Sequence, residues 1–96
     1  MVVRSGMSLT LFVAGRGPNS VTALGNLRSW CRDHDLDESS IEVVDVVAAP
    51  SRALQEGVLL TPQLVIRDPN GAQRFVGTLH DGDVARALRA AVETAP

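Results

Sequence analysis

The order of the apolar segments constrains the fold of this chain more than any other feature of its sequence. Residues 8–14 and 41–47 are runs rich in Val, Leu and Ile, and each has the length of a strand buried in a sheet. Residues 19–33 lie between them, and their apolar residues recur at helical spacing after a loop with two glycines and a proline. Two strands joined through a helix predict a parallel pair with a right-handed crossover.

Two further helices are predicted in the second half of the chain. Residues 50–56 start with a proline and stop before Gly57, as in a helix of two turns. Residues 81–92 begin with a capping aspartate and are rich in alanine, the best helix former. Leu88 lies at the centre of their apolar stripe, so one face of this closing helix is predicted to be buried.

A hairpin between residues 63–67 and 72–77 completes the predicted sheet. Asn70 and Gly71 in the intervening turn are a strong hairpin signal. Pro62 stands immediately before the first of these strands, where thioredoxin-like proteins carry a proline that is often cis. The order βαβαββα predicts an α/β, thioredoxin-like fold with a mixed four-stranded sheet, although periodicity alone leaves other α/β arrangements open.

Length and composition are those of one domain. The 96 residues are 45% hydrophobic and 21% charged, with a net charge of −2, and a chain of this size buries about 65% of its unfolded surface. We expect a single domain over residues 1–96, with an ordered core over about residues 8–93. No apolar run approaches the roughly 20 residues of a membrane span, and the first residues lack the apolar stretch of a signal peptide. A cytoplasmic location is therefore expected.

The sequence excludes several kinds of chemistry. It contains one cysteine and no lysine, which rules out a disulfide framework, a multi-cysteine zinc site, Schiff-base catalysis and a Walker-type phosphate lysine. Nine arginines are balanced by 11 acidic residues, so nucleic acid is not an expected partner. His34 and His80 have no second ligand at metal-site spacing and are expected at the surface. We expect no enzymatic activity, no cofactor and no metal.

The loop after the first strand lacks the redox centre of thioredoxins. Redox-active members carry Cys-x-x-Cys there, beside the start of a helix whose dipole lowers the pKa of the nucleophile. Residues 16–19 of this chain are Arg-Gly-Pro-Asn. The fold is therefore expected without the reaction. Cys31, in the apolar stripe of the first helix, is expected to be a small core residue.

Several segments together resemble the KaiB family of circadian-clock proteins. They are Leu-Phe-Val-Ala-Gly at residues 11–15, Pro-Asn-Ser-Val at 18–21, Ala-Leu at 23–24, the valine-rich strand around Asp45, Pro50, and Thr-Pro-x-Leu at 61–64. The resemblance extends from about residue 9 to about residue 92. It implies a thioredoxin-like fold, no enzymatic activity, and binding to the N-terminal ATPase ring of the hexameric ATPase/kinase KaiC, with KaiA sequestered where it exists.

The resemblance also implies that the chain can change fold. KaiB proteins adopt a tetramer-forming ground state and a thioredoxin-like, partner-binding state. Cyanobacterial members place a glycine and an aspartate where this chain has Leu88 and Ala90, which are better helix formers by roughly 0.5 to 1 kcal/mol each. We therefore expect the chain to rest in the thioredoxin-like state; its oligomeric state, whether monomer, dimer or tetramer, stays open.

We expect the docking surface on residues 45–56, at the second strand and the short helix that follows it. The thioredoxin-like state leaves this edge of the sheet available to a partner. The residues expected to contact the KaiC-type ATPase are Asp45, Arg52, Gln55 and Glu56. Structural roles are expected for Pro62, Asn70, Gly71, Leu88 and Ala90.

Two alternatives to the adaptor stay open. The sensor domain of the clock-output kinase SasA shares the thioredoxin-like fold and competes for the same ring, so the chain could be a redox-inert module of that kind. The other alternative is a thiol enzyme that uses Cys31.

Overall fold

Residues 1–94, the part of the chain that the structure, a computed structural model, describes, form six strands and three α-helices. In chain order they are β1 (Val2–Val3), β2 (Ser8–Val13), α1 (Pro18–Asp33), β3 (Ile41–Asp45), α2 (Pro50–Glu56), β4 (Gln63–Asp68), β5 (Gly71–Val76), α3 (Gly82–Ala91) and β6 (Val92–Glu93). A short 3₁₀ helix, Glu38–Ser40, precedes β3. None of the helices in this part of the chain combines the length and apolar character that crossing a bilayer requires.

The central sheet has four strands in the order β3-β2-β4-β5. β2 and β3 are parallel, and the pairs β2–β4 and β4–β5 are antiparallel. The predicted parallel first pair, the antiparallel hairpin and the thioredoxin-like arrangement are therefore confirmed. A second, two-stranded sheet, in which β1 pairs with β6, was not predicted.

Both faces of the sheet are covered at its central strands, and side chains alternate between these faces along each strand. On β2, Leu9 and Leu11 belong to a large core cluster that includes buried residues of α1 and α3. Phe12 points to the other face and forms a smaller cluster with Val44 and Val65, against which residues on either side of α2 pack. This two-faced burial explains the nearly continuous apolar run that predicted β2.

The predicted ends of several elements shift by one or two residues. β3 was predicted to continue to residue 47, but it ends at Asp45, whose carboxylate accepts a hydrogen bond from the Val47 amide (2.9 Å) and so turns the chain. α3 ends at Ala91, and Val92 lies in β6 instead of the predicted helix. α2 ends at Glu56, before Gly57 as predicted, and Gly57 has a left-handed φ of +67° that glycine adopts without strain.

The residues with predicted structural roles lie at turns and in the core. The Thr61–Pro62 peptide bond is cis. The backbone N–H of Asn70 donates a hydrogen bond to the Asp68 carboxylate (2.7 Å) in the β4–β5 turn, and Gly71 has a φ of +154°. On α3, Leu88 is buried in the large core cluster, whereas Ala90 is exposed.

Candidate docking surface

The outer edge of β3 and the helix α2 form the candidate docking surface. β3 pairs only with β2 in the part of the chain that the structure describes, so the main-chain groups along its other edge are not used by the sheet. Val43 on this strand is exposed, and α2 contains no buried residue. An unpaired strand edge beside an exposed helix offers a partner both main-chain hydrogen bonds and side-chain contacts.

Asp45 joins two loops at one end of this surface. Its carboxylate accepts hydrogen bonds from the amides of Gly15 (3.0 Å) and Val47 (2.9 Å). These backbone hydrogen bonds, of which the one from Gly15 contributes most, lower the pKa of Asp45 below its ordinary value. Asp45 thus fixes the loop after β2 against the turn after β3, and its predicted contact with a partner stays a prediction.

Arg52 links α2 to the edge strand. Its guanidinium donates to both carboxylate oxygens of Glu42, at 3.0 and 2.6 Å. This paired hydrogen bonding lowers the pKa of Glu42. Both side chains are about half exposed, so the pair orients the helix on the strand more than it stabilises the fold.

Glu56 anchors the end of α2 to the hairpin. Its carboxylate accepts a hydrogen bond from Arg67 on β4, and its carbonyl oxygen accepts one from Arg74 on β5. With its amide oriented to satisfy both neighbours, Gln63 donates to the carbonyl of Leu60 (3.0 Å) and accepts from Arg74 (3.1 Å). This network fixes the loop between α2 and β4, and it leaves Gln55 as the most exposed of the predicted contact residues on α2.

Sequence reasoning missed the exposed apolar side chains of this region. Leu54 on α2 and Leu59 in the loop that follows are 82% and 93% exposed, and Leu60 and Val47 are exposed as well. Large apolar side chains in solvent are typical of protein interaction sites when they cluster on one surface. The signal was a pair of consecutive leucines between Gly57 and Pro62, in a segment too short for a buried element.

Cys31 lies in the core, as predicted. It is fully buried on α1. Burial raises the pKa of its thiol, and the nearby carboxylates of Glu38 and Asp37 raise it further. Reactive cysteines have a lowered pKa and partial exposure, so this thiol has the opposite properties.

The two histidines differ in solvent exposure. His80 is exposed, as predicted. His34 was also predicted at the surface, but it is half-buried and its ring stacks on Trp30, with 4.2 Å between the ring centroids.

Comparison with known proteins decides the family. The KaiB domain matches residues 10–90 of this chain. This chain belongs to the KaiB family. It is 31% identical over 71 residues to the circadian clock protein KaiB3 of Synechocystis sp., covering 74% of this chain and 70% of that protein. It is 35% identical over 81 residues to the circadian clock oscillator protein KaiB of Prochlorococcus marinus subsp. pastoris, covering 84% of this chain and 76% of that protein. The family supports a clock-related role.

Solved structures similar to this KaiB-family chain include thioredoxins. Thioredoxin 1 of Thermosipho africanus aligns with a TM-score of 0.68 and 23% identity, covering 86% of this chain and 91% of that one. The thioredoxin of Fasciola hepatica aligns with a TM-score of 0.73 and 13% identity, covering 93% and 84%. At these identities the similarity concerns the fold alone.

Proposed function

We propose that this chain is a non-enzymatic clock adaptor that docks on the ATPase ring of a KaiC-type ATPase and modulates its nucleotide cycle. The observation that carries the proposal is the unpaired edge of β3 beside α2, a helix without buried residues, in a member of the KaiB family. The adaptor and its partner are expected to meet in the cytoplasm, and KaiA or a SasA-type kinase is an expected competitor for the same ring.

The surface offers two kinds of contact. Main-chain groups of β3 are available for strand addition, and Gln55 and Leu54 project into solvent from α2. Side chains that become desolvated at the centre of an interface contribute more to binding than contacts at its rim, and burial of an exposed leucine removes apolar surface from water. Because Arg52 and Glu56 are held by hydrogen bonds, the helix is already oriented before a partner binds.

We also propose that the thioredoxin-like state is the resting state. Leu88 and Ala90 favour the helix α3, and the turn at Asn70 and Gly71 favours the β4–β5 hairpin. A resting state that already carries the docking surface needs no rearrangement before binding. Complex formation is then expected within minutes of mixing.

The absence of enzymatic activity, including a thiol reaction, is part of the same proposal. Residues 16–19, at the position of the thioredoxin redox motif, contain no cysteine. Cys31 is buried, and the pKa of its thiol is raised. Both observations argue against a thiol reaction. Alkylation of Cys31 under native conditions at the rate of a free thiol would contradict this part of the proposal.

Size-exclusion chromatography with a KaiC-type ATPase from the same genome tests the adaptor. The expected result is nucleotide-dependent co-elution with the ring, compared in ATP and in ADP, within minutes. Co-elution only after hours would refute the resting state while leaving the adaptor intact. No complex with either nucleotide would refute the adaptor and favour the redox-inert sensor module related to SasA.

A matched pair of variants locates the contact. Leu54→Glu places a charge on the proposed surface, and Val21→Glu places one at an exposed valine of α1, outside it. We expect the first variant to lose co-elution and the second to keep it. Equal binding by both variants would show that α2 is not the contact.

A further inference from the structure

Residues 2–7 form a strap across one end of the molecule. Within it, β1 pairs antiparallel with β6, so that Val3 lies opposite Val92. Val3 and Met7 also pack against the large core cluster. The strap leads directly into β2, the central strand that pairs with both β3 and β4. It therefore ties the end of the helix α3 to the middle of the sheet.

Arg4 of the strap caps the helix α3. Its backbone amide donates to the carbonyl of Ala91 (2.9 Å), and its side-chain Nε donates to the carbonyl of Ala90 (2.9 Å). Carbonyl groups in the last turn of a helix have no partner within the helix, and the helix dipole makes this end negative. A cation from another part of the chain satisfies both needs. The Nη1 of Arg4 also donates a hydrogen bond to the carboxylate of Glu93 (3.1 Å).

The strap supplies the polar attachment of the C-terminal unit, which we define as α3 with β6. Within residues 1–94, the hydrogen bonds that join this unit to elements preceding its N-terminal cap all come from the strap. Its remaining attachment is apolar: Val84, Leu88 and Ala91 are buried in the large core cluster. By contrast, β2 and β4 are paired on both sides within the sheet.

We propose that the strap and the C-terminal unit open together as one locally unfolding unit while the four-stranded sheet stays folded. Elements held by few polar contacts at the end of a fold open at lower free energy than central strands. Release of Arg4 leaves the carbonyl groups at the end of α3 without partners, so the strap and the helix weaken each other's attachment. This coupling is independent of the docking partner. Its consequence is that the strap controls access to the apolar surface beneath α3.

Native-state amide hydrogen exchange at increasing denaturant concentration tests the coupling in the unmodified chain. We expect the amide of Arg4 and those of α3 to share one opening free energy, below that of the amides of β2 and β4. Exchange of the α3 amides together with those of β2 would overturn the proposal, because no separate unit would exist. Opening of Arg4 at a much lower free energy than α3 would also overturn it.

Arg4→Ala and Arg86→Ala form the matched pair of variants. Both remove one arginine, but Arg86 lies on the exposed face of α3 and pairs with Asp83 within the same helix. Arg4→Ala is expected to speed opening of α3 about tenfold, the combined effect of losing the two solvent-exposed hydrogen bonds of the Arg4 side chain, to Ala90 and to Glu93. Arg86→Ala is expected to leave it unchanged. Faster exchange in the strap of Arg4→Ala without faster exchange in α3 would overturn the coupling.

Alkylation of Cys31 gives a second measurement of the same opening. This thiol is fully buried in the core cluster that also contains Leu88 and Ala91 of the C-terminal unit. We expect Arg4→Ala to raise its alkylation rate by the same factor as the exchange of α3, and Arg86→Ala to leave it unchanged. An unchanged rate in Arg4→Ala would overturn the inference that the strap controls access to the core beneath α3.

Discussion

Replacement of Leu88 by alanine measures how firmly α3 packs on the sheet. Leu88 is 2% exposed and lies in the large core cluster. Transfer of a leucine side chain from water to a core contributes about 1.5–3 kcal/mol, and the cavity left by its removal raises the cost of Leu→Ala to about 2–5 kcal/mol. Alanine is at least as good a helix former as leucine, so this loss reflects packing and not helix propensity.

The assay is urea unfolding followed by the fluorescence of Trp30, the single tryptophan, which packs against the same cluster. Thermal unfolding gives a second measure of the same loss. For a domain of this size, a loss of about 2 kcal/mol lowers Tm by at least about 8 °C. The control is Arg89→Ala at an exposed position of α3, for which we expect a change within about 0.5 kcal/mol. A loss below about 1 kcal/mol for Leu88→Ala, at an unchanged m-value, would refute the packing of α3 on the sheet in solution.

Three further tests concern the loops, the glycines of the helices and the docking surface. Because the pKa of Asp45 is lowered in the folded state, its contribution to stability is present above its unfolded pKa and is lost as the pH falls through the folded value. The difference in free energy of unfolding between wild type and Asp45→Asn should therefore be largest near neutral pH and shrink below about pH 4; a difference independent of pH would contradict this. Gly57→Ala should destabilise by about 1 kcal/mol because φ is +67°, whereas Gly25→Ala, inside α1 with open space around it, should stabilise by up to about 1 kcal/mol; thermal unfolding compares the two. A double-mutant cycle on Arg52 and Glu42 should give a coupling of about 0.2–1 kcal/mol that falls at high salt, and a larger coupling would show that the pair is less solvated than its exposure indicates.

The sequence was sufficient for the order of the three α-helices and the four strands of the central sheet, because local rules govern them. Apolar periodicity distinguished β2 from α1, the turn at Asn70 and Gly71 specified the hairpin, and a glycine with a positive φ ended α2. Each of these signals acts over a few residues. Burial of Cys31 followed from the same periodicity, since it lies in the apolar stripe of α1.

Contacts between distant parts of the chain were beyond local rules. The strands β1 and β6 are two residues long and carry no periodicity of their own, so their pairing depends on where α3 ends. The side chain of Arg4 binds Ala90 and Glu93, which follow it in the sequence by 86 and 89 positions. His34 stacks on Trp30 because the helix brings residues four positions apart together. The prediction that both histidines lie at the surface did not take this geometry into account.

The unpaired edge of β3 has a consequence for how a binding surface of this kind evolves. Strand addition joins main-chain groups, which every amino acid carries, so it tolerates changes in the side chains of a partner. In the proposed mode of docking, selectivity then depends on the few side chains that α2 presents beside the edge. Duplicated copies of such a gene can therefore acquire different partners through substitutions on seven residues of one short helix, while the sheet, its core and the geometry of attachment stay the same.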